Sequence, residues 1–291
     1  MRPSVEPLSP PAGGPPEAPR ATGLVVLLLA ILPLSLLGSA SLLAGALVTQ
    51  LALVLATLRW ARRTGFDPRR LLRLTMPPLR ALLIGAGIGV AGILAGSGLQ
   101  SLTRAALPPR LVEMFDVGRV LMRSGLSQPA MIAVISLLPA LCEEVAFRGG
   151  LQSALMGRRA PARAIALSAL VFAGFHLDPV RFPGVLLLGV AFGWLAWRTG
   201  SIWPSMVAHA VNNGAAVLGL LVASRLAEYD PAEAVAPGEA AALLMVGLVL
   251  YALLVAAARR WLPPAPDAAS FLVPRVAAPP APRTGGAAPS P

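Results

Sequence analysis

The chain has 291 residues, of which 56% are apolar and 13% charged, with a mean hydropathy of +0.73 and a formal net charge of +11. A charged fraction about half the roughly 25% typical of soluble domains excludes an ordinary water-soluble globule and reads as an all-α, polytopic membrane protein. All 24 basic residues are arginine, and most stand in short connections between apolar runs, which speaks against a nucleic-acid-binding face; the single Cys142 excludes an internal disulfide.

Residues 1–20 are rich in Pro, Gly and charge, and residues 262–291 in Pro and Ala, so both stretches are expected to be disordered tails around a helical bundle over 21–261. The first apolar run begins at Thr22 behind a long polar leader, and further runs follow, so it is read as membrane-embedded and not as a cleaved signal peptide. Because about 20 residues are needed to cross about 30 Å of hydrocarbon, the run over 23–58 accommodates two short crossings, with a turn near Gly38, Ser39 and Ser41. Further crossings are expected over 81–102, 129–156, 161–176, 183–197, 203–222 and 240–258, making eight.

With both termini cytoplasmic, Arg59, Arg62, Arg63, Arg69, Arg70, Arg73, Arg80, Arg158, Arg159, Arg163, Arg198, Arg259 and Arg260 fall inside. Only Arg104, Arg110, Arg119, Arg123, Arg181 and Arg225 fall outside, the bias expected of a multi-pass protein in the cell membrane. No internal repeat is visible, which weakens a transporter built from inverted halves.

Ionisable groups within such segments are costly and mark function. On the 129–156 helix, Glu144 and Arg148 are four residues apart and can pair on one face, whereas Glu143, rotated by about 100°, is left to face a water or a substrate as a general base. Four-residue spacing also puts Phe172 with His176, and His209 with Asn213. By helical rise His176 sits farther toward the outer end than Glu143 or His209, so convergence requires a tilted helix or shifted ends. A carboxylate, two imidazoles and a carboxamide around one cavity suit the addition of water to an amide. The same Glu143, His176 and His209 could instead bind a divalent metal such as zinc, and the spacing does not separate the two mechanisms. Simpler readings are a structural Glu–Arg network, a helix-ending His176 before Asp178 and Pro179, an interfacial His209, and a Cys142 that packs as a small apolar group.

Taken in order, Glu143-Glu144-x-x-x-Arg148, Phe172-x-x-x-His176 and His209-x-x-x-Asn213 resemble the motifs of the CPBP family of intramembrane proteases, which includes the type II CAAX prenyl endopeptidases and the bacterial Abi and bacteriocin-processing relatives. The resemblance covers the core at 129–222. It implies an eight-helix bundle with a water-filled cavity open toward the cytoplasm, in which Glu143 and His176 activate water. His209 and Asn213 would hold the tetrahedral intermediate, with Glu144 and Arg148, and Phe172 from the second motif, in support. Members are commonly labelled metalloproteases, and a metal-independent glutamate mechanism has also been argued for them. The implied partners are a peptide or membrane-protein substrate and the lipid bilayer, with no nucleic acid. Two other readings remain open: a transporter or ion relay built on the same Glu and His residues, and a non-catalytic immunity or scaffold member.

Overall fold

The computed structural model describes residues 42–225 and 235–275, together with Leu24, Val25 and Leu28. Among the described residues seven apolar helices dominate: α1 (Leu42–Arg63), α2 (Leu79–Ala106), α3 (Gln128–Met156), α4 (Pro161–Phe175), α5 (Phe182–Thr199), α6 (Trp203–Arg225) and α7 (Pro237–Trp261). All but α4 are long and apolar enough to cross a membrane; α4 is apolar but shorter, with 15 residues. The crossing expected over 23–41 falls on residues that are not described, apart from the three just named, which are helical. Short helices at Pro68–Leu71, Pro109–Met114 and Val117–Arg123 lie in the connections.

Proline sets several of the boundaries. Pro161, Pro183 and Pro237 stand in the first turn of α4, α5 and α7, where a missing N–H removes no helical bond. At the other end of α5, Gly200 takes the left-handed conformation at φ 66° and stops the helix. Pro139, by contrast, stands inside α3, where it would ordinarily break the helix. The helix continues instead through two π-helical stretches, Ile132–Leu137 and Glu144–Gln152, on either side of Leu138–Glu143. The carbonyl four residues before Pro139, that of Ile135, accepts a hydrogen bond from Asn213 Nδ2 at 3.1 Å, and Ser136 Oγ donates to Ala210 O at 2.8 Å. Two bonds therefore tie α3 to α6 where proline frees the backbone.

α2 is the hub, packed along α7, α6 and α5. Lipid gives apolar helices no reason to separate from it, so close approach through small residues does the holding. A Cβ on Gly89 would fall on Ala208 O of α6, one on Gly98 on Ala240 O of α7, and one on Gly247 on Ala95 N of α2. Residues 262–275 also depart from the disordered tail expected from 262 onward. Arg198 donates to Pro263 O, and to Leu262 O at 2.9 Å, while the Val273 and Gly65 carbonyls accept from Asp67 N at 2.9 Å and Arg275 N at 2.8 Å. Phe271, 7% exposed, closes over the Arg73 guanidinium at 5.4 Å. Fixed backbone partners at both ends outweigh the composition of this segment.

Because the α2–α7 contact has no room for a methyl group, Gly247→Ala is expected to destabilise the bundle by about 1–3 kcal/mol, the usual range for overpacking. Gly96→Ala, with nothing within 4 Å of its Cβ position, is expected to be neutral or slightly stabilising. Thermal unfolding of the two variants in the same detergent checks the difference in sign.

Candidate active site

The first motif is built on the π-helical turn of α3. Glu144 is fully buried, and its Oε1 lies 2.9 Å from Arg148 Nη1. Such a pair is stable only if its remaining polar atoms are met, because desolvating two charges costs several kcal/mol per ion. Other helices supply part of what the pair needs. Gly189 O of α5 accepts from Arg148 Nη2 at 3.3 Å, and the guanidinium lies 4.1 Å from the ring centroid of Phe172 and 5.5 Å from that of Phe192. Both rings present π faces to the cation.

Glu144 also receives the first histidine. His209 Nδ1 lies 3.0 Å from Glu144 Oε1. A carboxylate can only accept, so Nδ1 carries the hydrogen and Nε2 is turned to the other side. There it stands 3.9 Å from Glu143 Oε2, too long for a direct hydrogen bond. The His209 ring is stacked on Phe192 at 5.3 Å and meets the edge of Phe172 at 6.0 Å, which leaves it little freedom to turn.

Glu143 is 7% exposed and is not left unpaired, as the spacing had suggested. Gln50 of α1 donates its Nε2 hydrogen to Glu143 Oε1 at 2.8 Å. The other oxygen, Oε2, is buried without a hydrogen bond and faces the His209 Nε2 side.

His176 takes the C-cap position of α4, where its Nδ1 lies 2.9 Å from Phe172 O. A carbonyl also only accepts, so this imidazole carries hydrogen on Nδ1 and a free lone pair on Nε2 when neutral. The residue is thus a helix end, as one simple reading of the sequence had it, and it is also packed edge-on against Phe172 at 4.9 Å. The Phe172 ring is a shared neighbour of the histidine of α4 and that of α6. Asn213 donates from Nδ2 to Ile135 O at 3.1 Å and accepts from Asn212 Nδ2 at 3.2 Å, leaving one of its own N–H hydrogens uncommitted.

The possible zinc set read from the sequence is not supported. Among the described residues no three His, Cys, Asp or Glu side chains come together in a group that could hold a metal ion. Cys142 is buried and free, in line with the packing role expected of it.

Sequence reasoning did not find three contributors. Gln50 was legible in principle as an amide inside an apolar run. Phe192 looks like any packing aromatic. Arg73, counted as an orientation signal, is 1% exposed and donates Nη2 to Arg148 O, the backbone of the ion-paired arginine itself.

Arg148→Met is expected to destabilise the protein by about 3–5 kcal/mol, since it strands the Glu144 carboxylate in an apolar interior. Adding Glu144→Gln should recover part of that loss. Equilibrium unfolding of the single and double variants in mixed micelles checks both statements.

The segment that holds the three motifs, residues 125–215, matches the family model described as Type II CAAX prenyl endopeptidase Rce1-like. No match to the chain was found among curated proteins or among solved structures. That segment, which contains Glu143, Glu144 and Arg148, Phe172 and His176, and His209 and Asn213, is thus similar to the type II CAAX prenyl endopeptidase Rce1-like family.

Proposed function

We propose that the protein is an intramembrane endopeptidase that hydrolyses a peptide bond of a membrane-associated peptide or protein, with Glu143 as the general base. The observation that carries this reading is the pair of facing atoms Glu143 Oε2 and His209 Nε2, 3.9 Å apart and both turned away from their anchoring partners. A carboxylate oxygen with no hydrogen bond can take a proton from water, and the carboxyl formed can later give it to a leaving amine.

In the proposed sequence, water adds to the scissile carbonyl as a C–O bond forms and its proton passes to Glu143. His209, when protonated on Nε2, donates to the developing oxyanion, and the uncommitted N–H of Asn213 is a second donor for the same charge. Collapse of the tetrahedral intermediate breaks the C–N bond, and the amine leaves with the proton held by Glu143. His176 stands beside this reaction with its Nε2 lone pair available to assist in deprotonating the water. Glu144 and Arg148 act on His209, fixing its tautomer and ring plane. No nucleophilic Ser, Thr or Cys and no metal ion enters this sequence.

The arginine bias gives the orientation we propose, with both termini and the loop between α1 and α2 on the cytoplasmic side. Glu143 lies near the middle of α3, so a substrate has to bring its scissile bond below the lipid surface.

Glu143→Gln keeps the shape of the site and removes its base, and kcat/KM is expected to fall by about 100-fold or more. The check is a comparison of membrane peptides from cells producing wild-type protein and the variant. Products present only with the wild type support the reading, and identical peptide sets overturn it. Proton-coupled flux that disappears with the same change, without any change in peptides, would favour an ion relay.

A further inference from the structure

Gln50 is a neutral amide within a largely apolar helix, next to the buried Thr49, and it donates a hydrogen bond to Glu143 Oε1 at 2.8 Å. It comes from α1, far outside the matched segment 125–215, so nothing in the three motifs accounts for it. Both ends of this contact are buried, each at 7% exposure. We propose that Gln50 is a positioning residue for peptide-bond hydrolysis, its amide N–H fixing Oε1 of Glu143 so that Oε2 is presented to the space shared with His209; this rests on the protease reading given above.

Three observations support this over simple helix packing. The terminal torsion of a glutamate is broad, so a carboxylate held only by its stem would sample many orientations, and one pinned oxygen removes that freedom. The contact is a hydrogen bond to a charged acceptor, which is shorter and stronger than a neutral one. Finally, the amide is not a self-satisfied structural group. Because a carboxylate only accepts, Nε2 is the end that faces Glu143, and the Gln50 carbonyl oxygen is left buried with no hydrogen bond of its own. A leucine at this position would pack α1 against α3 without that cost. An amide retained at such a place fits a role toward Glu143 better than a role in packing.

The helix contacts point the same way. α1 packs against both Leu138–Glu143 and the π-helical turn Glu144–Gln152, so the position of Gln50 is set against the stretch of α3 that carries the carboxylates. Thr57, one face along, is buried and bonded to Leu53 O, which leaves Gln50 as the side chain of α1 that bonds to the carboxylate pair.

The test uses the full chain in nanodiscs and an internally quenched peptide based on a product that distinguishes wild type from Glu143→Gln. Gln50→Met keeps the length of the side chain and removes the donor. It is expected to lower kcat by about 10- to 100-fold, as for a misplaced catalytic group, with KM changed by no more than about twofold because Gln50 is not assigned a substrate contact. Gln50→Glu supplies a donor only while its carboxyl is protonated, so its activity relative to wild type should fall as pH rises. The other ionisable groups around Glu143, namely Cys142, Glu144, Arg148, His176 and His209, are common to all variants, so that difference reports the introduced carboxyl. A purely structural Gln50 would not give it.

Wild-type kcat in Gln50→Met, a loss confined to KM, or a Gln50→Glu profile parallel to wild type would each overturn the proposal. Melting temperatures of Gln50→Met, Glu143→Gln and the double variant test the contact without any turnover: shifts that do not add support the bond, and additive shifts sink it. If Glu143→Gln cleaves like wild type, the protease reading falls and takes this role with it, while coupling in the melting cycle would still show that the bond exists. The two failures are thus separable.

Discussion

The arrangement depends on one buried guanidinium. Arg148 pairs with Glu144 on its own helix, bonds to a carbonyl of α5, and lies against aromatic faces from α4 and α5. An ion pair without solvent is a liability unless each charge is fully engaged, and removing either partner is far costlier than replacing both. Accommodating Arg148 therefore draws α4 and α5 around α3, and a second contact on the same Glu144 oxygen draws in His209 from α6. Four helices converge because one charge has to be accommodated.

The backbone of α3 is adjusted to the same end. A π turn widens the helix, and such turns are found mainly at functional sites. Here the widened stretch begins at Glu144, and its carbonyls are used by other elements: Phe147 O accepts from Ser168 Oγ at 2.9 Å, and Arg148 O accepts from Arg73 Nη2. Arg73 holds a positive φ of 55°, a conformation that L side chains adopt only under constraint. Phe271 of the C-terminal stretch covers its guanidinium. The docking of 262–275 is thus coupled to the motif-bearing helix α3 through a single arginine, a link between distant parts of the chain that composition alone conceals.

The all-helical, membrane-embedded character of the protein was legible because hydropathy and arginine placement report directly on the bilayer. The residues of the motif-bearing core were legible because charges there are rare. The structure brings Glu144, Arg148, His209 and Phe172 into direct contact and adds His176 through Phe172. What stayed hidden has a common cause: its signal resembles background. Arg73 stands among arginines that serve topology, and Phe192 stands among residues that pack. Pro139 announces a break that the structure avoids by a widened turn and a borrowed amide from Asn213. Gln50 was the exception, a visible anomaly in an apolar run, overlooked because it lies outside the motif-bearing segment.

The two histidines show how equal side chains acquire different chemistry. Each uses Nδ1 for anchoring and turns Nε2 elsewhere, but one anchor is the neutral Phe172 carbonyl and the other the Glu144 carboxylate. The two rings are therefore held in the same tautomer by partners of different charge. Leu177, directly after His176, holds a φ of 50°, so the chain turns sharply as soon as the imidazole has been placed. Strain of that kind costs on the order of 1–3 kcal/mol and persists only where the surroundings fix the conformation. Here those surroundings include the buried Asp178, whose carboxylate accepts from Val180 N at 2.9 Å and pairs with Arg181 at 2.6 Å. The turn after α4 is therefore a fixed feature that holds His176 against Phe172, and through that ring the difference between the two imidazoles is maintained at a single site.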